Sequence, residues 1–175
     1  TLERIESARI EGNHTTVAEF IEVKLAEESS TKKPSIDEQI SEIKNVEKAM
    51  KFIDGTIDEN DINESYIKEL HKIVVNKLDF KKEGDKNPGK YRKSNVKISG
   101  SNHKPPDYTQ VASYMQKLMS FMENNDSSKY DLLKIALFHH RFVWIHPFGN
   151  GNGRTIRLIT YAQLVKYGFN VNIGH

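Results

Sequence analysis

The chain has 175 residues, of which 37% are hydrophobic and 29% charged; this fits one globular domain with a sizeable core and excludes a disordered chain. Its net charge of +2 at pH 7 is too small to make nucleic acid or a membrane surface the main partner. There is no cysteine, which excludes disulfides and thiolate metal sites, and no apolar run approaches a membrane span.

The predicted elements are helices separated by polar breaks. Thr16-Val-Ala-Glu19 is a capping box that opens a helix through about Ala26. After a polar loop to Pro34, Ser35-Ile-Asp-Glu38 is a second capping box. Ile36, Ile40, Ile43, Val46, Met50 and Ile53 then follow helical spacing until Asp54-Gly55. Asn63 is placed to cap a third helix with Ile67, Leu70, Val74 and Leu78 on one face. Residues 81–106 are rich in Gly and Pro around the alternating Val96-Lys97-Ile98, which predicts a loop and a small hairpin. Asp107-Tyr-Thr-Gln110 is a third capping box, leading into a stripe of Val111, Tyr114, Met115, Leu118, Phe121 and Met122. Leu132 to Val143 is apolar on nearly every side, the pattern of a central buried helix. The last predicted helix carries Ile156, Leu158, Ile159, Ala162 and Val165 and closes at Gly168.

Between those last two helices stands His146-Pro-Phe-Gly-Asn-Gly-Asn-Gly-Arg-Thr-Ile-Arg157. A glycine-rich turn lets backbone amides approach an anion, and a helix opening from it adds free N–H groups and the positive end of its dipole. Arg154 and Arg157, three apart, offer planar forks to further phosphate oxygens. Pro147 keeps His146 out of the helical region and ends the preceding helix there. A histidine with an ordinary pKa is largely neutral at pH 7 and so able to act as a base. These features describe a polyphosphate site with a base beside it. His139 and His140 read as packed or hydrogen-bonded. His14, His71, His103 and His175 are scattered and show no metal-ligand spacing. Phe148 reads as a core anchor beneath the turn.

Residues 146–157 resemble the signature of the Fic family, H-x-F-x-[D/E]-G-N-G-R-x-x-R, with Asn150 where the family has Asp or Glu. Ser7 to Gly12 is similar to the family's inhibitory motif, [S/T]-x-x-x-E-[G/N]. Gly89-Lys-Tyr-Arg92 through Pro105-Pro106 is similar to its flap. The resemblance implies a mainly α fold, a single Fic-like domain over 1–175 with a small β-hairpin flap at about 89–106. An N-terminal inhibitory segment would lie at about 2–13. The start at Thr1 rather than Met reads as a fragment or processed product of a longer chain.

The implied function is transfer of AMP from ATP to a Ser, Thr or Tyr hydroxyl of a target protein. His146 would remove the hydroxyl proton. Gly151, Asn152 and Gly153 would hold the α-phosphate, and Arg154 and Arg157 the outer phosphates. Glu11, with Ser7 in its motif, would occupy Arg157 and restrain the reaction. Val96, Lys97 and Ile98 of the flap would pair with the target. Mg²⁺ would be held more weakly than usual, because Asn150 brings oxygen without charge. Three alternatives stay open: removal of AMP, transfer of another phosphate-containing group, and a non-enzymatic nucleotide-binding regulatory domain. The expected partners are ATP and a target protein, with no membrane and no nucleic acid, and the expected location is cytoplasmic.

Overall fold

The computed structural model describes residues 34–123 and 128–169, with side chains from Gln39 onward. The first predicted helix, the 2–13 segment with Ser7 and Glu11, and the tail after Phe169 lie outside the described residues. The described part is mainly helical: α1 (Pro34–Thr56), α2 (Glu64–Val74), α3 (Val111–Glu123), α4 (Asp131–Ile145) and α5 (Asn152–Lys166), with short 3₁₀ turns at Tyr108–Gln110 and Ser128–Tyr130.

Local chemistry accounts for most boundaries. Asn63 caps α2 by accepting the Tyr66 amide at 3.0 Å. Asp107 accepts the Thr109 amide and starts the 3₁₀ turn that runs into α3. Helix α1 runs past the expected stop and ends at Thr56, with Gly55 inside its last turn. At the far end of α5, Gly168 takes φ +75°; its amide donates to Val165 O and that of Phe169 to Leu164 O, the paired closure of a Schellman cap.

Helix α5 packs against α4, α2 and α1, and α3 covers the other side of α4. Ile53, Ile67, Leu70, Phe138, Phe142 and Ile159 are among the fully buried side chains at the centre. Asn45 of α1 donates to Val74 O and Asn76 O, which satisfies carbonyls at the C-terminal end of α2.

Two expectations are corrected. Helix α4 is not enclosed: Leu132, Leu133, Leu137 and Val143 are exposed, while Ile135, Phe138, Phe142 and Ile145 face the core. The more enclosed helix is α5, which buries Asn152, Arg154, Thr155 and Gln163 along with its apolar residues. Hydropathy ranks such a helix as peripheral, yet most of these polar groups find protein partners. Second, no strand forms among the described residues, so residues 89–106 are not a β-hairpin. Val96 and Ile98 are half-buried and Lys97 exposed, so the alternation survives. The one backbone bond within 93–106 is Ser101 N–H to Ile98 O at 3.3 Å, which closes a turn without building a ladder.

Candidate active site

The signature bridges the end of α4 and the start of α5. His146 is the C-cap of α4, with its amide on Phe142 O at 2.9 Å and its backbone left-handed at φ 50°, ψ 64°. A non-glycine residue held there costs on the order of 1–3 kcal/mol and needs its surroundings to maintain it. Phe148 is fully buried, as expected of an anchor, and stacks on His71 at 3.7 Å between ring centroids. Gly151 is the N-cap of α5 at φ +72°, and a Cβ there would lie 2.7 Å from Val75 Cγ1. No side chain caps α5, so its opening amides have no side-chain acceptor at the positive end of the helix dipole.

The side chains divide differently from the expectation. Asn152 is buried and its amide bonds one residue twice: Oδ1 accepts the Phe148 amide at 2.9 Å and Nδ2 donates to Phe148 O at 3.0 Å. These two bonds brace the turn from within. Arg154 is fully buried. Its Nη1 lies 3.0 Å from Glu42 Oε1, and its Nη2 meets Glu83 Oε2 at 3.0 Å and Glu83 O at 2.7 Å. Two carboxylates therefore neutralise the guanidinium expected on the outer phosphates, and it acts as an internal tie between α5, α1 and the 79–89 loop. Arg157 is half-buried, one turn further along α5, and its charge reaches His139 on α4. His139 Nδ1 bonds Thr160 Oγ1 at 2.9 Å, which agrees with a packed rather than catalytic histidine.

Asn150 is also used internally. Its Oδ1 accepts the Gly151 amide at 2.7 Å and its Nδ2 donates to Lys82 O. An aspartate has no N–H for that carbonyl, which gives the amide a structural reason to stand here. No cluster of three or more His, Asp or Glu side chains fit for a metal occurs among the described residues. With Nδ2 and one lone pair of Oδ1 in use and no charge to offer, Asn150 fits the role of a metal ligand poorly.

Sequence reasoning missed His71, Asp85, Glu42 and Glu83. His71 is completely buried. Its Nδ1 accepts the Gly89 amide at 2.9 Å, so Nε2 carries the proton and donates to Asn150 O at 3.0 Å. Burial lowers its pKa to about 4, outweighing the bond to Asn150 and the nearby Asp85 carboxylate. The ring is therefore neutral at pH 7, and its 3.6 Å approach to Asp85 Oδ2 is not an ion pair. Asp85 Oδ2 accepts the Asn150 amide at 3.0 Å and its Oδ1 accepts the Asn87 amide at 2.8 Å. A signal for His71 was present: it sits among Ile67, Leu70 and Val74 on the apolar stripe of α2.

The Fic/DOC family profile matches residues 61–164. The chain is 34% identical over 168 residues to "Protein adenylyltransferase Fic" of Drosophila melanogaster, covering 93% of this chain and 32% of that protein. The same values hold for the Drosophila sechellia protein of that name, so the chain spans about a third of the length of these curated relatives. In fold it is similar to a Fic family protein from Desulfovibrio desulfuricans G20, with a TM-score of 0.73 at 24% identity over 94% of this chain and 47% of that one. It is also similar to Fic-1 from C. elegans, with a TM-score of 0.75 at 22% identity over 95% of this chain and 48% of that one. The profile covers more than half of the chain, including the signature turn and the helices that frame it, and the chain belongs to the Fic/DOC family.

Proposed function

We propose that the protein is an adenylyltransferase that moves AMP from ATP to a hydroxyl of a target protein and releases pyrophosphate. The observation that carries this reading is the meeting of His146, at the C-terminal end of α4, with the uncapped glycine-rich start of α5. The amides at Asn152 and Gly153 stabilise the α-phosphate as charge builds on it, and His146 takes the proton of the attacking Ser, Thr or Tyr hydroxyl. Arg157 holds the outer phosphates. Arg154 contributes by keeping the start of α5 in place. Mg²⁺ arrives as part of the nucleotide substrate, held by its phosphates rather than by residue 150. The 2–13 segment restrains the reaction through Glu11 and its motif partner Ser7, competing with phosphate for Arg157. The 93–106 loop, with Val96, Lys97 and Ile98, seats the target. The whole of 1–175 works as one Fic domain of a longer cytoplasmic protein.

The test uses ATP labelled on the α-phosphate, offered to the protein with Glu11→Gly and to the same protein with His146→Ala added. The first should label itself or a lysate protein well above the unsubstituted chain. Adding His146→Ala should lower that labelling by about 10²–10⁴-fold with nucleotide affinity nearly unchanged. Labelling that survives His146→Ala within twofold removes His146 from the role of base. Nucleotide binding without any labelling favours the non-enzymatic regulatory reading, for which Asn150 is the motivating observation.

A further inference from the structure

The last carbonyls of a helix lack partners within it, and α4 ends on the residue that carries the proposed chemistry. All four carbonyls from Trp144 to Pro147 are nevertheless satisfied, and all four donors come from Arg92 and His103. His103 Nε2 bonds Trp144 O at 2.9 Å; a carbonyl only accepts, so Nε2–H donates. Arg92 Nη2 reaches Ile145 O at 3.5 Å, its Nε donates to His146 O at 2.9 Å, and its backbone amide donates to Pro147 O at 2.9 Å. Arg92 as a whole is 4% exposed, and its guanidinium brings positive charge to the negative end of the α4 dipole.

The same fork closes the 93–106 loop. Arg92 Nη1 donates to Ser94 O at 3.0 Å at the start of the loop, and Nη2 donates to Pro106 O at its end. Asn95 completes the closure by donating to Asp107 Oδ2 at 2.9 Å and accepting the Tyr108 amide at 2.9 Å. A loop with no strand ladder is thus held at its base by one buried side chain, which also grips the left-handed backbone of His146.

We propose that Arg92, assisted by His103, is a positioning residue: it fixes the strained His146 junction and binds it to both ends of the 93–106 loop, so that the base and the loop that seats the target move as one body. This rests on the adenylyltransferase reading for its effect on rate, but not for its effect on structure. Arginine is required for its fork, since a lysine at 92 keeps the charge and cannot serve Ile145, His146, Ser94 and Pro106 together.

The experiment adds Arg92→Lys to the full chain carrying Glu11→Gly. It measures single-turnover transfer at saturating ATP, the KM for ATP, and amide hydrogen exchange. The expected result is transfer slowed by up to about 10²-fold with KM for ATP within twofold, because the base is misplaced while the phosphate site is intact. Exchange should rise at residues 142–148 and within 93–106 while α2 and α5 keep their protection. Transfer at the parent rate overturns the proposal. So does a raised KM with unchanged maximal rate, or exchange that rises equally in every helix, the mark of a residue that only stabilises the core. If the Glu11→Gly protein transfers nothing, the activity reading fails and the exchange pattern alone decides whether Arg92 holds the junction. If Arg92→Lys does not fold, His103→Ala removes the Trp144 O bond and the ring contact with Trp144 while leaving Arg92 in place. It should slow transfer in the same direction by a smaller factor, and an unchanged rate and exchange pattern overturns the proposal.

Discussion

Asn150 is the one departure from the family's signature, and its environment gives the departure a physical reason. The side-chain amide donates to Lys82 O and accepts from Gly151, uses that an aspartate can only half fulfil. Replacing it with the family's usual residue is therefore expected to weaken the loop rather than build a metal site. Asn150→Asp loses one donated hydrogen bond and sets a carboxylate against a carbonyl, a cost of about 1 kcal/mol. In a chain of this size that lowers Tm by about 2–4 °C. A thermal melt checks the loss, and calorimetry with Mg²⁺ and no nucleotide should show no binding. An unchanged Tm together with new Mg²⁺ binding would mean that position 150 is a vacant ligand position after all.

Helix α5 shows how an element can be set by what lies beneath its first residue. Gly151 sits in the left-handed region with Val75 Cγ1 2.7 Å from where a Cβ would be and the His71 ring 3.6 Å away. Gly151→Ala adds left-handed strain of roughly 1–2 kcal/mol and overpacking of roughly 1–3 kcal/mol. The overpacking is relieved by making room at position 75 and the strain is not. Gly151→Ala with Val75→Ala should therefore recover part of the urea midpoint lost by Gly151→Ala, after correction for Val75→Ala alone. Strictly additive midpoints would deny the contact. Helix α4 carries the opposite lesson. Its residues read as buried on every side, yet Leu132, Leu133, Leu137 and Val143 face outward because α3 and α5 cover only part of its circumference. Composition ranks helices by hydropathy, but enclosure depends on how many neighbours a helix has.

At the scale of the whole molecule, one neutral imidazole joins three parts: α2, which bears it, the 85–89 loop and the signature turn. This arrangement makes a pH dependence with a definite sign. The unfolded chain protonates His71 near its ordinary 6.5, whereas the folded chain does so only near about 4, because burial opposes the charge. Between those values the unfolded state binds more protons. Stability from this group is present above pH 6.5, falls with pH across the window and is gone below about 4. The slope is at most about 1.4 kcal/mol per pH unit. Urea midpoints at pH 4.5, 5.5, 6.5 and 7.5 test this. His71→Gln should be less stable at pH 7.5 and should lose much of that slope. Parallel profiles for parent and variant would show that His71 is not the group that titrates.

The sequence by itself determined the described helices, several of their ends and the glycine-rich turn between α4 and α5. Asn63, Asp107 and Gly168 act through residues within a turn or two of themselves, so their roles as caps were legible without a fold. The signature was legible for the same reason, as a histidine, a glycine-rich turn and arginines within twelve consecutive positions. The 96–98 alternation was legible too, but a strand needs a second strand to pair with, and none lies beside it among the described residues. Tertiary structure alone decided which polar side chains in and around the signature are taken up by protein partners. Arg154, Asn150 and Arg92 are committed by Glu42 and Glu83, by Lys82, and by the end of α4. Those partners lie tens of residues away in the chain, and a hydrogen bond depends on distance and angle in space, which no spacing in sequence records.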